Sequence, residues 1–211
     1  AIVTDMKEII LASQSPRRLH LLQAMGVKFI VEPSDYDEKL DNSRLMSDVA
    51  MELALGKAMD VAAKHPSAII IGSDTIVGVD GKQLEKPVDI DEARQMLLSY
   101  VDKQSEVVTG VAVVCIEDGV QLLDSASSLV YFKSDSPTVK QLREEYLATE
   151  NWRDKAGGYG YQAVRDTLIE RIDGDDDTII GFPTKLVARM LYEVGVETDP
   201  VVIDPDELYG T

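Results

Sequence analysis

Two β-rich runs, residues 105–117 and 120–133, meet at Asp118-Gly119, and this junction most limits what the chain can fold into. An Asp-Gly pair between two such runs selects a tight reversal, because glycine accepts a left-handed backbone that other residues resist. Two long strands lying antiparallel disfavour a purely parallel, doubly wound sheet. A second pair, Asp80-Gly81, separates residues 75–79 from 82–84 and predicts another hairpin.

Helices are written between these strands. Residues 7–13 read as a buried strand, after which Ser15 stands at a helix N-cap position with Pro16 at the first helical site. Leu19, Leu22 and Met25 then recur at helical spacing up to Gly26, a left-handed cap, and 27–31 begins a second strand. Residues 45–64 predict a long amphipathic helix ended by His65-Pro66, followed by a strand over 67–72. Further helices are expected near 90–100 and 138–148, a late strand over 164–172, a last helix from Pro183 to about Gly195, and a surface tail. The fold class is therefore α/β: a long, mixed, twisted β-sheet with flanking helices. No internal repeat or linker marks a boundary, so residues 1–211 are read as a single domain.

Composition narrows the partners. The 211 residues carry 38 Asp and Glu against 21 Lys and Arg, a formal net charge of −17. That balance disfavours nucleic acid, whose phosphates need many exposed cations. A small anion still fits if a few basic side chains are gathered into one cleft and a divalent cation offsets the rest. The first residues show no basic segment leading into a long apolar stretch, and no run approaches the ~20 apolar residues that cross a bilayer. The single cysteine, Cys115, lies in an apolar strand and reads as a core residue. A cytoplasmic protein without membrane contact is expected.

Four segments could carry chemistry. Ser13-Gln14-Ser15-Pro16-Arg17-Arg18 stands where a strand hands over to a helix, where free N–H groups and the helix dipole favour phosphate and two guanidiniums add forked donors; a capped helix with two solvated arginines reads equally well. Gly72-Ser73-Asp74-Thr75 follows an apolar run, which puts Asp74 at a strand's C-terminal end, placed to hold a metal or take a proton from water. The plainer alternative is a tight turn. Leu84-Glu85-Lys86-Pro87 is the third. The fourth, Lys155 to Gln162, offers a cation, glycines that permit close approach of a ligand, and Tyr159, Tyr161 and Gln162 for packing on and bonding a base; a flexible loop explains the glycines as well. The acidic run Asp173-Gly174-Asp175-Asp176-Asp177 lacks EF-hand spacing and reads as a solvated turn.

Taken in order, LASQSPRR at 11–18, GSDTIV at 72–77, LEKP at 84–87, KAGGYGYQ at 155–162 and GFP at 181–183 resemble the Maf family, over most of the chain. The resemblance implies a fold similar to the inosine triphosphate pyrophosphatases, two lobes around a central cleft, and a house-cleaning hydrolase that cleaves a nucleoside triphosphate to monophosphate and pyrophosphate. It implies a divalent cation, Mg²⁺ or alternatively Mn²⁺ or Co²⁺, and a homodimer. Asp74 matches the family's general base; Ser13, Arg17, Arg18, Lys57, Lys86 and Lys155 match phosphate-facing positions, and Glu38 an acidic position that would share a metal with Asp74. Arg17, Thr75 and Gln162 match positions that divide substrate subgroups, and here they resemble the dTTP/UTP subgroup. The alternatives are a 7-methyl-GTP or purine pyrophosphatase and a non-catalytic nucleotide sensor regulating septum formation.

Overall fold

The structure is a computed structural model and describes residues 6–204. Its elements run β1 (Ile9–Leu11), α1 (Pro16–Ala24), β2 (Ile30–Val31), α2 (Met46–Ala62), β3 (Ile69–Val79), β4 (Lys82–Leu84), α3 (Ile90–Ser99), β5 (Gln104–Cys115), β6 (Val120–Phe132), α4 (Pro137–Ala148), α5 (Tyr161–Val164), β7 (Ile169–Asp173), α6 (Asp176–Ile180) and α7 (Thr184–Glu193). Seven strands make one mixed sheet in the order β2-β1-β3-β5-β6-β7, with β4 beside β3. The expected mixed α/β architecture is thus present. β1 is parallel to both β2 and β3, and every other pairing is antiparallel.

Both hairpins form, the first on the two-residue turn Asp80-Gly81 and the second on a four-residue loop, 116–119, because β5 ends at Cys115 paired with Val120. Asp80 and Gly81 have φ of 50° and 78°, the doubly left-handed pair of a two-residue hairpin, and Gly119 has φ 62° at the β5–β6 reversal. α1 starts as its sequence predicts: Ser15 accepts from the Arg18 amide and Pro16 opens the helix.

The two faces of the sheet are packed differently. One carries α1, α3, α4, α6 and α7 over a broad core of large side chains that includes Leu21, Leu97, Tyr100, Trp152 and Phe182. The other carries α2, whose Ala54, Ala58 and Ala62 lie on Ile10, Ile70, Ala112 and Val114. α2 sits close because the strands beneath it present glycine: a Cβ at Gly72 would stand 2.3 Å from the Ala54 carbonyl oxygen, and one at Gly110 2.3 Å from that of Ala50.

Three expectations are corrected. Residues 67–72 and 75–79 do not flank a turn at 72–75; they belong to the single strand β3, because its ladder with β5 runs unbroken from Ile70↔Val114 to Gly78↔Glu106. Residues 164–168 close helical turns, with the Arg165 amide bonding the Tyr161 carbonyl and the Leu168 amide that of Val164, so the late strand begins only at Ile169. The described part of the tail is not merely surface: the Asp199 amide bonds the Met25 carbonyl, and Val201 and Ile203 pack against the larger core. The remainder of the tail lies outside the described residues.

Candidate active site

β3 has two edges. β5 covers one along its length, whereas the other is covered by β1 at Ile69–Ile71 and by β4 at Val77–Val79. Between those two short neighbours, residues 72–76 have an open edge. Asp74, paired with Gly110 in mid-strand, and Thr75 both reach this gap. Asp74 is therefore not at the end of its own strand; it lies where the parallel neighbour β1 ends, the position at which α/β sheets commonly take ligands.

A cavity of about 450 Å³ opens there, within the range of small-ligand sites. Ser13, Arg17 and Arg18 enter its wall from the β1–α1 turn, Glu38 from the segment after β2, and Lys57 from α2. Lys86 and Lys155 close it from beyond β4 and α4. Five cations thus face three carboxylates, Glu38, Asp74 and Asp154, in a chain whose net charge is strongly negative. The local surplus of positive charge marks the cavity as an anion site.

Each wall segment is held by identifiable contacts. The segment with Glu38 is pinned at both ends: Asp60 accepts from the Ser34 hydroxyl and the Asp35 amide, while the buried Gln83 amide group donates to the Asp41 carbonyl at 2.7 Å and accepts from the Asp41 amide. Between them the Tyr36 ring lies on Gly56, where a Cβ would come within 2.3 Å of it. The Gly157 amide bonds the Glu85 carbonyl at 3.1 Å, which ties the Lys86 segment to the Lys155 segment. Gly157 and Gly158, at φ 74° and 81°, give their carbonyls to the hydroxyls of Tyr100 and Tyr146. The close approach that Gly157 allows is to Val77 and Tyr100, inside the protein.

Two groups of interactions meet at the gap. On the α2 face, the Lys57 ammonium stands 2.6 Å from Asp74 Oδ1 and 2.7 Å from Glu38 Oε1. Asp74 and Lys57 are 6% and 8% exposed, and burial pushes the Asp74 carboxyl above its ordinary range against the pull of Lys57 and Arg18. On the opposite face, Arg18 donates from Nε to the Gly181 carbonyl at 2.8 Å and from Nη2 to Thr75 Oγ1 at 3.1 Å. Burial lowers the Arg18 pKa while Asp74 works the other way, and the guanidinium stays charged. Thr109 gives its proton to the Thr178 carbonyl at 2.8 Å, so the Thr75 hydroxyl must donate to Thr109 at 2.9 Å and accept from Arg18.

Some residues stand elsewhere than the motifs suggested. Tyr159 lines the cavity but is buried, its hydroxyl bonded to Ser105 and its ring edge-on to Tyr100 and Phe132. Tyr161 is buried with its hydroxyl on Asp176, and Gln162, half-buried on α5, lies outside the cavity wall. Of the acidic run, Asp177 is not solvated: it is 3% exposed, and its Oδ2 caps α7 by accepting from the Thr184 amide and hydroxyl, while Oδ1 has no partner among the described residues. The motifs passed over Asp154, which also lines the cavity; partial desolvation at the wall raises its pKa, but the adjacent Lys155 ammonium, 3.1 Å away, outweighs that and holds it below the ordinary range. They also passed over Ile179 and Ile180, an apolar part of the wall supplied by α6. Only the GFP motif beside them hinted at that wall.

The model of the family described as Maf-like protein matches residues 8–194. This chain belongs to the Maf family. Its curated relatives include the dTTP/UTP pyrophosphatase of Pyrococcus furiosus, 41% identical over 187 residues that cover 88% of this chain and 95% of the relative. The dTTP/UTP pyrophosphatase of Methylobacillus flagellatus is 39% identical, covering 91% and 95%. A human relative, named probable bifunctional dTTP/UTP pyrophosphatase/methyltransferase protein, is 37% identical over 89% of this chain but only 32% of its own length. The Maf match spans β1 to α7 and so includes every segment of the cavity wall. Among the described residues of this Maf chain no helix is long and apolar enough to cross a membrane.

The donor set can be tested against a divalent cation. Among the described residues no three His, Cys, Asp or Glu side chains cluster as a ready metal site. Asp74 and Glu38 converge on one point, however, and Mg²⁺ characteristically uses one or two carboxylates and completes its shell with substrate phosphate and water. The residues fit a cation that arrives with a polyphosphate.

Proposed function

We propose that this chain is a nucleoside triphosphate pyrophosphatase that hydrolyses dTTP and UTP to the monophosphate and pyrophosphate. The observation that carries the reading is the buried Asp74 at the open edge of β3, surrounded by the cations of an otherwise acidic chain. The relatives' names support the substrate.

In this reading Arg17, Lys86 and Lys155 bind the phosphates, and Ser13 lies beside them in the turn before α1. Among the described residues Arg17 and Lys86 make no ion pair, so their charge is available to a ligand. Arg18, clamped to Gly181 and Thr75, holds α1 to the apolar wall of Ile179 and Ile180, against which a pyrimidine packs. Asp74 takes the proton of the attacking water, the water oxygen bonds to the α-phosphorus, and the bond to the bridging oxygen breaks to release pyrophosphate. Burial raises the basicity of the Asp74 carboxylate, which suits it to that task. A divalent cation held by Asp74 and Glu38 would supply charge neutralisation at the phosphates. Gln162 matches a subgroup position but is not among the residues of the cavity wall, so we assign it an influence through α5 rather than direct contact with the base.

The test is pyrophosphate release from a panel of canonical and 7-methylated triphosphates with Mg²⁺. dTTP and UTP are expected to be turned over many times per protein molecule, with Asp74→Asn inactive. Preference for 7-methyl-GTP would overturn the substrate, and no turnover by the unaltered protein would overturn the enzyme.

A further inference from the structure

The two carboxylates that fit a divalent cation already share one cation. Lys57 Nζ lies 2.6 Å from Asp74 and 2.7 Å from Glu38. A Mg²⁺ bridging Asp74 Oδ1 and Glu38 Oε1 would approach each oxygen to about 2.0–2.1 Å and so occupy the space the ammonium now fills. The two cations would also repel one another in a site with little water to screen them. Metal and Lys57 therefore exclude each other at these oxygens.

The surroundings explain why an ammonium should wait there. Asp74 is 6% exposed, and a buried carboxylate left without a partner is strongly destabilising. A cation beside it keeps it ionised in the free protein. Lys57 is fitted to give way, because its charge rides on a flexible four-carbon stem and can swing without movement of α2. Glu38 has 58% of its side chain in solvent and can follow either partner.

We propose that Lys57 is a placeholder cation: it occupies the carboxylates in the free protein, and an incoming polyphosphate draws its ammonium away and opens them to a divalent cation. The inference rests on the reading of the cavity as a triphosphate site. It makes metal and nucleotide binding mutually dependent, each strengthening the other by the same factor. It also keeps the free protein from being held with metal alone in its site.

The experiment is a titration of Mn²⁺, followed by the loss of the free-ion electron paramagnetic resonance signal, against the full chain without nucleotide. The unaltered protein and Lys57→Arg are expected to bind weakly, and Lys57→Met, which keeps the bulk and loses the charge, at least about tenfold more tightly. Adding a non-hydrolysable α,β-methylene analogue of dTTP, with the analogue's own Mn²⁺ affinity subtracted, should tighten binding to the unaltered protein far more than to Lys57→Met. Should Lys57→Met not fold, Lys57→Gln carries the same comparison, since its amide can still bond a carboxylate. Tight Mn²⁺ binding by the unaltered protein alone, or equal affinity in the neutral variant, overturns the proposal. Absence of triphosphate hydrolysis would sink the functional reading instead, and the metal-only comparison would still decide whether Lys57 holds the place.

Discussion

The two faces of β3 at the cavity solve the same problem, a polar group inside a sheet, in opposite ways. Facing α2, Asp74 is a charge met by a charge, and one of the participants, Glu38, is largely in solvent. Facing α1 and α6, Thr75 is a neutral hydroxyl in a fixed sequence of donors and acceptors from Arg18 through Thr109 to the Thr178 carbonyl. An ion pair on a flexible stem can exchange partners, whereas a hydroxyl relay with every proton assigned cannot change without leaving a buried group unpaired. The α2 face is suited to chemistry and the α1 face to holding the ligand's frame.

The largest effect that would break this contrast lies at Asp74. Asp74→Asn should lower kcat by about 10³, within the 10²–10⁴ range of general-base catalysis, with a retained circular dichroism spectrum. An Asn variant with near-normal kcat would place the chemistry elsewhere. The pH profile sharpens the point. Because burial raises the Asp74 carboxyl in the folded state, activity should fall on acidification at a pH above the ordinary aspartate range. The sign for stability is the reverse: a carboxyl with a raised folded pKa adds most to stability when protonated and loses that contribution as pH rises through it. Acid should therefore remove activity while near-ultraviolet circular dichroism stays native.

The next effect tests the close seating of α2. A Cβ at Gly110 would stand 2.3 Å from the Ala50 carbonyl oxygen and 2.5 Å from its carbon, and backbone cannot move aside as a side-chain tip can. Gly110→Ala should cost about 3 kcal/mol, the upper end of overpacking. For a chain of this size that lowers Tm by roughly 6–12 °C. Because α2 carries Lys57, kcat should fall as well; a variant with unchanged Tm would show that the helix has room.

These differences also explain what the sequence disclosed. Hairpins and caps were legible because their chemistry is local: Asp80-Gly81 and Ser15-Pro16 act within a few residues. Gly72-Ser73-Asp74-Thr75 misled because its residues favour turns, and only the long-range ladder with β5 keeps them extended. The site residues near glycines or prolines were visible as motifs. Glu38 was not, since nothing beside it signals a site; contacts distant in sequence, Tyr36 on Gly56 and Gln83 with Asp41, bring it to Lys57. Resemblance alone pointed to it. The Asp177 cap on α7 was hidden for the same reason, because an acidic run looks solvated until the helix it caps is in place.

On the α1 face the effects should be smaller. Arg18→Lys keeps the charge and loses the fork that reaches both Gly181 and Thr75. A hydrogen bond to a charged group contributes about 2 kcal/mol, so KM for dTTP should rise by more than about tenfold, with a lesser change in kcat. A loss confined to kcat would instead assign Arg18 to the transition state.

Thr109→Val is the mildest change and the one that isolates the relay. Thr109 is fully buried and absent from the cavity wall, and valine matches its shape. Its hydroxyl fixes the direction of the Thr75 proton and so leaves the Thr75 oxygen free to accept from Arg18. Without it Thr75 can rotate, and the loss should be about 1 kcal/mol, a KM raised roughly fivefold with kcat unchanged. Thr109→Ser restores the hydroxyl without the methyl group and should recover KM even if Tm falls. Recovery of neither would show that Thr109 contributes by packing alone, and the α1 face would then be held by Arg18 and Gly181 without the relay.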